Sequence, residues 1–102
     1  MSVQQTIQDI VTGHKVVLFM KGDKRFPQCG FSARAIQILQ ASGCEDFHTV
    51  NVLMNEDIRQ GIKTYANWPT IPQLYVNGEF LGGSDIMLEM FEAGELQTVL
   101  AE

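Results

Sequence analysis

The chain has 102 residues, 45% hydrophobic and 19% charged, with a formal net charge of −5, which fits one domain around one core and excludes a disordered chain. Its longest apolar run, VVLFM at residues 16–20, is far too short to cross a bilayer. All seven Lys and Arg residues precede residue 64, and from Thr64 to Glu102 there are six acids and no base, so nucleic acid, whose phosphates demand clustered cations, is excluded as a partner.

Ile7, Ile10 and Val11 recur at helical spacing ahead of Gly13, which predicts a first helix over residues 3–12. VVLFM is continuous, β-prone and bounded by Gly13 and Gly22, and reads as a strand buried on both faces. From Cys29, apolar residues at Phe31, Ala35, Ile38 and Leu39 keep a helical rhythm until Gly43. Residues 47–52 form the next strand, and Asn55 with Glu56 and Asp57 supplies the cap and acidic first turn of a third helix. That helix runs to about Ala66 and buries Ile58, Ile62 and Tyr65. Asn77-Gly78 between two β-prone runs predicts a tight hairpin. Ser84 or Asp85 caps a fourth helix carrying Ile86, Met87, Met90 and Phe91, and residues 95–100 form a fifth. The strand-helix-strand unit requires a parallel pair and the hairpin adds an antiparallel one. The expectation is a single α/β domain over residues 1–102, a mixed four-stranded sheet flanked by helices on both faces.

Two cysteines cannot build a disulfide framework, so a reducing compartment is expected. No basic, apolar leader opens the chain, which reads as cytoplasmic, or as a mature form in a mitochondrial or plastid matrix. Cys29 stands at a helix start, where free N–H groups and the helix dipole favour thiolate, with Lys21, Lys24 and Arg25 upstream to add positive potential. Cys44 lies 15 residues on, at the far end of that helix, roughly 20 Å away at about 1.5 Å rise per residue. A disulfide spans at most about 7 Å, so Cys44 is structural or reacts only with another molecule. Ser32 occupies the position where a dithiol enzyme keeps its second thiol. What remains for Cys29 is a mixed disulfide with a small thiol, or a shared metal centre. An iron-sulfur cluster takes four thiolates, which two chains and two small thiols would supply. His14 and His48 have no metal-ligand spacing and read as structural or surface residues, and Trp68, before a proline, as a packing residue.

CGFS at Cys29 to Ser32, MKG before it, DIRQGIKTYANWPT from Asp57 and WPTIPQLYVNGEFLGGSDI from Trp68 together resemble a monothiol glutaredoxin of the CGFS type, over essentially the whole chain. The resemblance implies a thioredoxin-like fold with a cis peptide bond before Pro72. It implies glutathione binding and a [2Fe-2S] cluster held between two protomers, each giving its CGFS cysteine and one glutathione. The apo protein is then expected as a monomer and the cluster-bound form as a homodimer, with BolA-like proteins and iron-sulfur acceptor proteins as partners.

On that basis Cys29 is both the catalytic thiol and the cluster ligand. Arg59 and Lys63 share a helix face and, with Lys21, grip the glycine-end carboxylate, where the residues alone read first as a solvated face with Glu56 as salt-bridge partner of Arg59. Backbone N–H groups at Gly82 to Asp85, Ser84 included, receive the γ-glutamyl carboxylate while Asp85 faces its ammonium. Ile71 offers its backbone to the cysteinyl residue as an added strand would. Phe31 either shields the cluster or anchors the helix in the core. Several family members carry cysteine where this chain has Ser84, so a disulfide there is excluded. The leading function is glutathione-dependent cluster binding and transfer in iron-sulfur protein maturation. A weak glutathione-dependent thiol-disulfide oxidoreductase is the alternative, its turnover slowed if the residues KGDKRFPQ displace glutathione from the line of attack. A third reading is a regulatory module docking through Glu89, Glu92 and Glu95.

Overall fold

A computed structural model describes residues 2–102. Helix α1, Val3–Gly13, starts where the Ser2 side chain accepts the N–H of Gln5 at 3.1 Å. Strand β1, Val16–Met20, follows, then α2, Gly30–Ala41, whose N-cap is Cys29. Strand β2, His48–Asn51, leads into a single 3-10 turn, Val52–Met54, and α3, Glu56–Ala66, capped by the Asn55 side chain on Ile58 N–H at 3.2 Å. Strands β3, Gln73–Val76, and β4, Glu79–Gly82, form the hairpin, with positive φ at both Asn77 and Gly78 as a type I′ turn requires. Helices α4, Ser84–Glu92, and α5, Glu95–Ala101, complete the chain.

The sheet order is β2-β1-β3-β4, with β1 parallel to β2 and antiparallel to β3, and β3 antiparallel to β4. Alternation along β1 divides the core in two. Val16, Leu18 and Met20 join Leu74 and Val76 under Leu39 of α2, Met87 of α4 and Leu96 of α5. Val17, Phe19 and Tyr75 meet Ile7 and Val11 of α1 and Ile58 and Ile62 of α3. All five residues of β1 are buried, as a strand covered on both sides must be.

Three local expectations are corrected. The second strand is shorter than residues 47–52, because the Asn51 side chain accepts the N–H of Leu53 at 3.0 Å and turns Val52 out of the ladder into a 3-10 helix. Tyr65 is half-buried, its ring tilted against Tyr75 on the flank of the core. The N-cap of α4 is Gly83, without a side-chain cap bond; Ser84 and Asp85 lie inside the first turn.

Candidate functional site

The loop between β1 and α2 folds back on itself. Gln28 N–H donates to the Lys21 carbonyl at 2.9 Å, Asp23 Oδ1 accepts the N–H groups of Arg25 and Phe26 at 3.0 and 2.8 Å, and Gly22 bridges to Pro27. Asn51 fixes the loop from the side, its Oδ1 accepting Gly22 N–H at 3.0 Å. The φ of +91° at Gly22 suits only glycine without strain, and a Cβ there would lie 2.5 Å from Gln28 N. The fold-back places Cys29 beside Lys21, at the mouth of α2.

β1 ends where β3 begins, Phe19 facing Gln73 in antiparallel register, so the segment before β3 lies alongside that mouth. Its Ile71-Pro72 bond is cis, as the resemblance implied. Between them opens a cavity of about 380 Å³. Lys21, Cys29, Arg59, Lys63, Ile71, Ser84 and Asp85 all line it, so the structure brings these predicted site residues together from five stretches of chain, while Gly82 and Arg25 lie outside its wall. The half-exposed Arg59 and Lys63 come from α3; exposed Asp85 and buried Ser84 come from the first turn of α4. The Arg59–Glu56 separation of 3.9 Å is long and leaves the guanidinium weakly held.

The Cys29 thiol is free and partly exposed. Burial pushes it up, but the backbone N–H groups of Ser32 and Phe31, the Lys21 charge and the Ser32 hydroxyl outweigh that and hold it below the usual thiol range. Cys29 makes no fully formed cap hydrogen bond, so these donors act by being aimed at the sulfur. Lys24 does not take part, contrary to expectation: its Nζ donates to the Glu45 carbonyl at 2.8 Å and sits 3.9 Å above the Phe47 ring. Its charge serves Cys44, which is free, half-buried, beyond the other end of α2 and pushed up by burial.

The remaining residues singled out in the sequence are placed as follows. Phe31 is 59% exposed and lines the cavity, so it does not anchor α2 in the core. Trp68 packs on Phe80 at 5.8 Å yet stays 37% exposed along the cavity wall. His14 and His48 are stacked, centroids 3.9 Å apart and planes within 4°. Glu89, Glu92 and Glu95 are exposed on α4 and α5. Among the described residues no group of three or more His, Cys, Asp or Glu side chains could hold a metal, and no helix is long and apolar enough to cross a membrane.

Sequence reading missed Pro69 and Thr70 as cavity wall, and Asn51 and Gln73 as supports. Polar residues at the end and the start of strands that otherwise read as apolar were the available signal for the last two.

The glutaredoxin family profile matches residues 16–81. The chain is 60% identical over 94 residues to a monothiol glutaredoxin ycf64-like protein of Synechocystis, covering 92% of this chain and 87% of that one. It is 55% identical over 95 residues to the chloroplastic monothiol glutaredoxin-S14 of Arabidopsis thaliana, covering 93% of this chain and 54% of that longer one. The solution structure of reduced apo GrxS14 from poplar superposes with a TM-score of 0.83 at 51% identity, covering 98% of this chain and 94% of that one. With its thioredoxin-like sheet, its single cysteine in CGFS and this kinship along nearly its whole length, the chain belongs to the glutaredoxin family, among the monothiol members.

Proposed function

We propose that this protein binds glutathione in the cavity beside Cys29 and, as a pair of chains, carries a [2Fe-2S] cluster to acceptor proteins. The observation that carries the reading is the pairing of one thiolate-favouring sulfur with a cavity whose wall carries three cations, Lys21, Arg59 and Lys63, and one carboxylate, Asp85. Glutathione has two carboxylates and one ammonium. Lys21, Arg59 and Lys63 suit the glycine-end carboxylate. The N–H groups at the start of α4 suit the γ-glutamyl carboxylate, with the Asp85 side chain for the ammonium and the Ile71 backbone for the central residue.

The cluster is cargo and needs four thiolates. One chain contributes Cys29 alone, Cys44 being held beyond the far end of α2; a second Cys29 and two glutathione sulfurs complete the set. The apo protein is then a monomer and the loaded form a homodimer. Exposed Phe26 and Phe31, on either side of Cys29 in sequence, offer apolar contact to a second chain, a BolA-like protein or an acceptor. Both thiols are free, as in a reducing compartment; the cytoplasm is proposed, with an organelle matrix as the alternative. Anaerobic reconstitution with iron, sulfide and glutathione tests the reading. The expected product is a coloured dimer, absent for Cys29→Ser; the same spectrum without any small thiol would overturn it.

The lowered pKa of Cys29 supports a second reading, slow deglutathionylation. The Cys29 thiolate attacks the glutathionyl sulfur of a mixed disulfide and the substrate leaves as its thiolate. A second glutathione then reduces the Cys29-glutathione disulfide and departs as glutathione disulfide. Ser32 does not impede this, since no resolving thiol is needed. Turnover matching a dithiol glutaredoxin would make this the main activity.

A further inference from the structure

The first residue of β3 is a glutamine with no solvent exposure, on the same face of the strand as Tyr75 and in register with Phe19. A carboxamide in such a place is costly unless its capacity is used, and here it is. Gln73 Nε2 donates to the carbonyls of Trp68 at 3.1 Å and Thr70 at 3.2 Å, and Oε1 accepts from the Tyr75 hydroxyl at 3.3 Å. The orientation of the amide follows from chemistry: two main-chain carbonyls can only accept, so the NH₂ end must face them. Burial pushes the Tyr75 phenol above its usual range, so it stays protonated and keeps its proton for Oε1.

Both donors thus go to one short segment, Trp68 to Ile71, which walls the cavity. An apolar side chain of similar volume would fill the space beside Phe19 but leave the buried Tyr75 hydroxyl and the two carbonyls without this partner. The carboxamide instead gathers two carbonyls, three and five residues back, around one nitrogen and so sets the path of the backbone between them and β3. We infer that Gln73 is a positioning residue for glutathione: its clamp on Trp68 and Thr70 presents the Ile71 backbone to the cysteinyl group of the ligand. This rests on the glutathione reading above and deepens it. The ligand touches the wall; Gln73 stands behind it.

The test is titration of the full chain with reduced glutathione under anaerobic conditions, followed by NMR at the Ile71 and Asp85 amides, for wild type, Gln73→Met, Gln73→Glu and Tyr75→Phe. Gln73→Met fills the volume but donates nothing, and affinity falls about tenfold or more, as expected for two lost hydrogen bonds. Gln73→Glu supplies one donor only when protonated, so its affinity relative to wild type at the same pH rises as pH is lowered. A residue that merely holds the fold together gives no such pH profile among molecules whose spectra show them folded. Tyr75→Phe keeps both donations but frees the amide to turn, weakening binding about threefold.

Wild-type affinity in Gln73→Met, with wild type itself binding, overturns the inference and leaves the glutathione reading standing. Absence of binding to wild type overturns both. If Gln73→Met does not fold, wild-type affinity at every pH in both Gln73→Glu and Tyr75→Phe overturns the inference.

Discussion

The Ser32 hydroxyl accepts the backbone N–H of Lys21 at 3.1 Å, so the residue three places after Cys29 fastens the first turn of α2 to the end of β1. Ser32 is fully buried. Replacing it with alanine strands a part-buried N–H and is expected to cost about 1–3 kcal/mol of stability, read from denaturant unfolding. The same change removes one group that lowers the Cys29 pKa, so the pH at which Cys29 alkylates shifts upward.

The two thiols should separate by pH. Cys29 is held below the ordinary thiol range and Cys44 above it, chiefly by burial in the second case. At neutral pH iodoacetamide is expected to label Cys29 first, because the thiolate is the nucleophile. Mass spectrometry of peptides taken over a pH series checks the order, which reverses only if Cys44 ionises earlier.

Glutathione affinity should depend on both the cations and the carboxylate in the cavity wall. Arg59→Ala and Asp85→Asn are each expected to weaken it about tenfold, the scale of one charge-assisted hydrogen bond. Glu56→Gln should leave it nearly unchanged, since the Arg59–Glu56 pair is long and solvated. Calorimetric titration distinguishes the three.

Gly22→Ala is expected to lose at least about 2 kcal/mol of stability. Its φ is +91°, and the new methyl would press on two main-chain atoms, Gln28 N and Phe26 O, neither of which can swing aside. Because the same loop sets Cys29 beside Lys21, glutathione binding should weaken along with the thermal midpoint.

Stability should fall in mild acid. Burial and the stacked His14 lower the pKa of His48 below 6.5. Between the lowered value and 6.5 the unfolded chain binds more protons than the folded one, so stability decreases as pH drops below 6.5. Unfolding curves from pH 7.5 downward should steepen this loss in wild type and flatten it in His48→Gln.

Much of the fold was legible because its devices are local. VVLFM, Asn77-Gly78 and Asn55 each declare a strand, a turn or a cap within a few residues. The candidate site was legible through resemblance more than through spacing, since Arg59 and Lys63 alone look like any solvated helix face. What escaped depends on contacts far apart in the chain. Asn51 ends β2 by bonding both Leu53 and Gly22, 29 residues away, and no window around Asn51 reveals the second partner. Lys24 was misread for the same reason: sequence places it near Cys29, whereas the Glu45 carbonyl and the Phe47 ring, from beyond α2, claim it. Gln73 went unnoticed because nothing in QLYV shows that its amide donates to the Trp68 and Thr70 carbonyls of the preceding loop.

The two strands that deliver Cys29 and Ile71 to one another, β1 and β3, occupy the middle of the sheet and are buried throughout. Fraying of α5 or of the edge strands therefore leaves the pairing of β1 with β3 intact. Slowest-exchanging amides should be found along these strands, and a variant destabilised only at α5 or an edge strand should keep its ligand affinity per folded molecule until the whole domain melts.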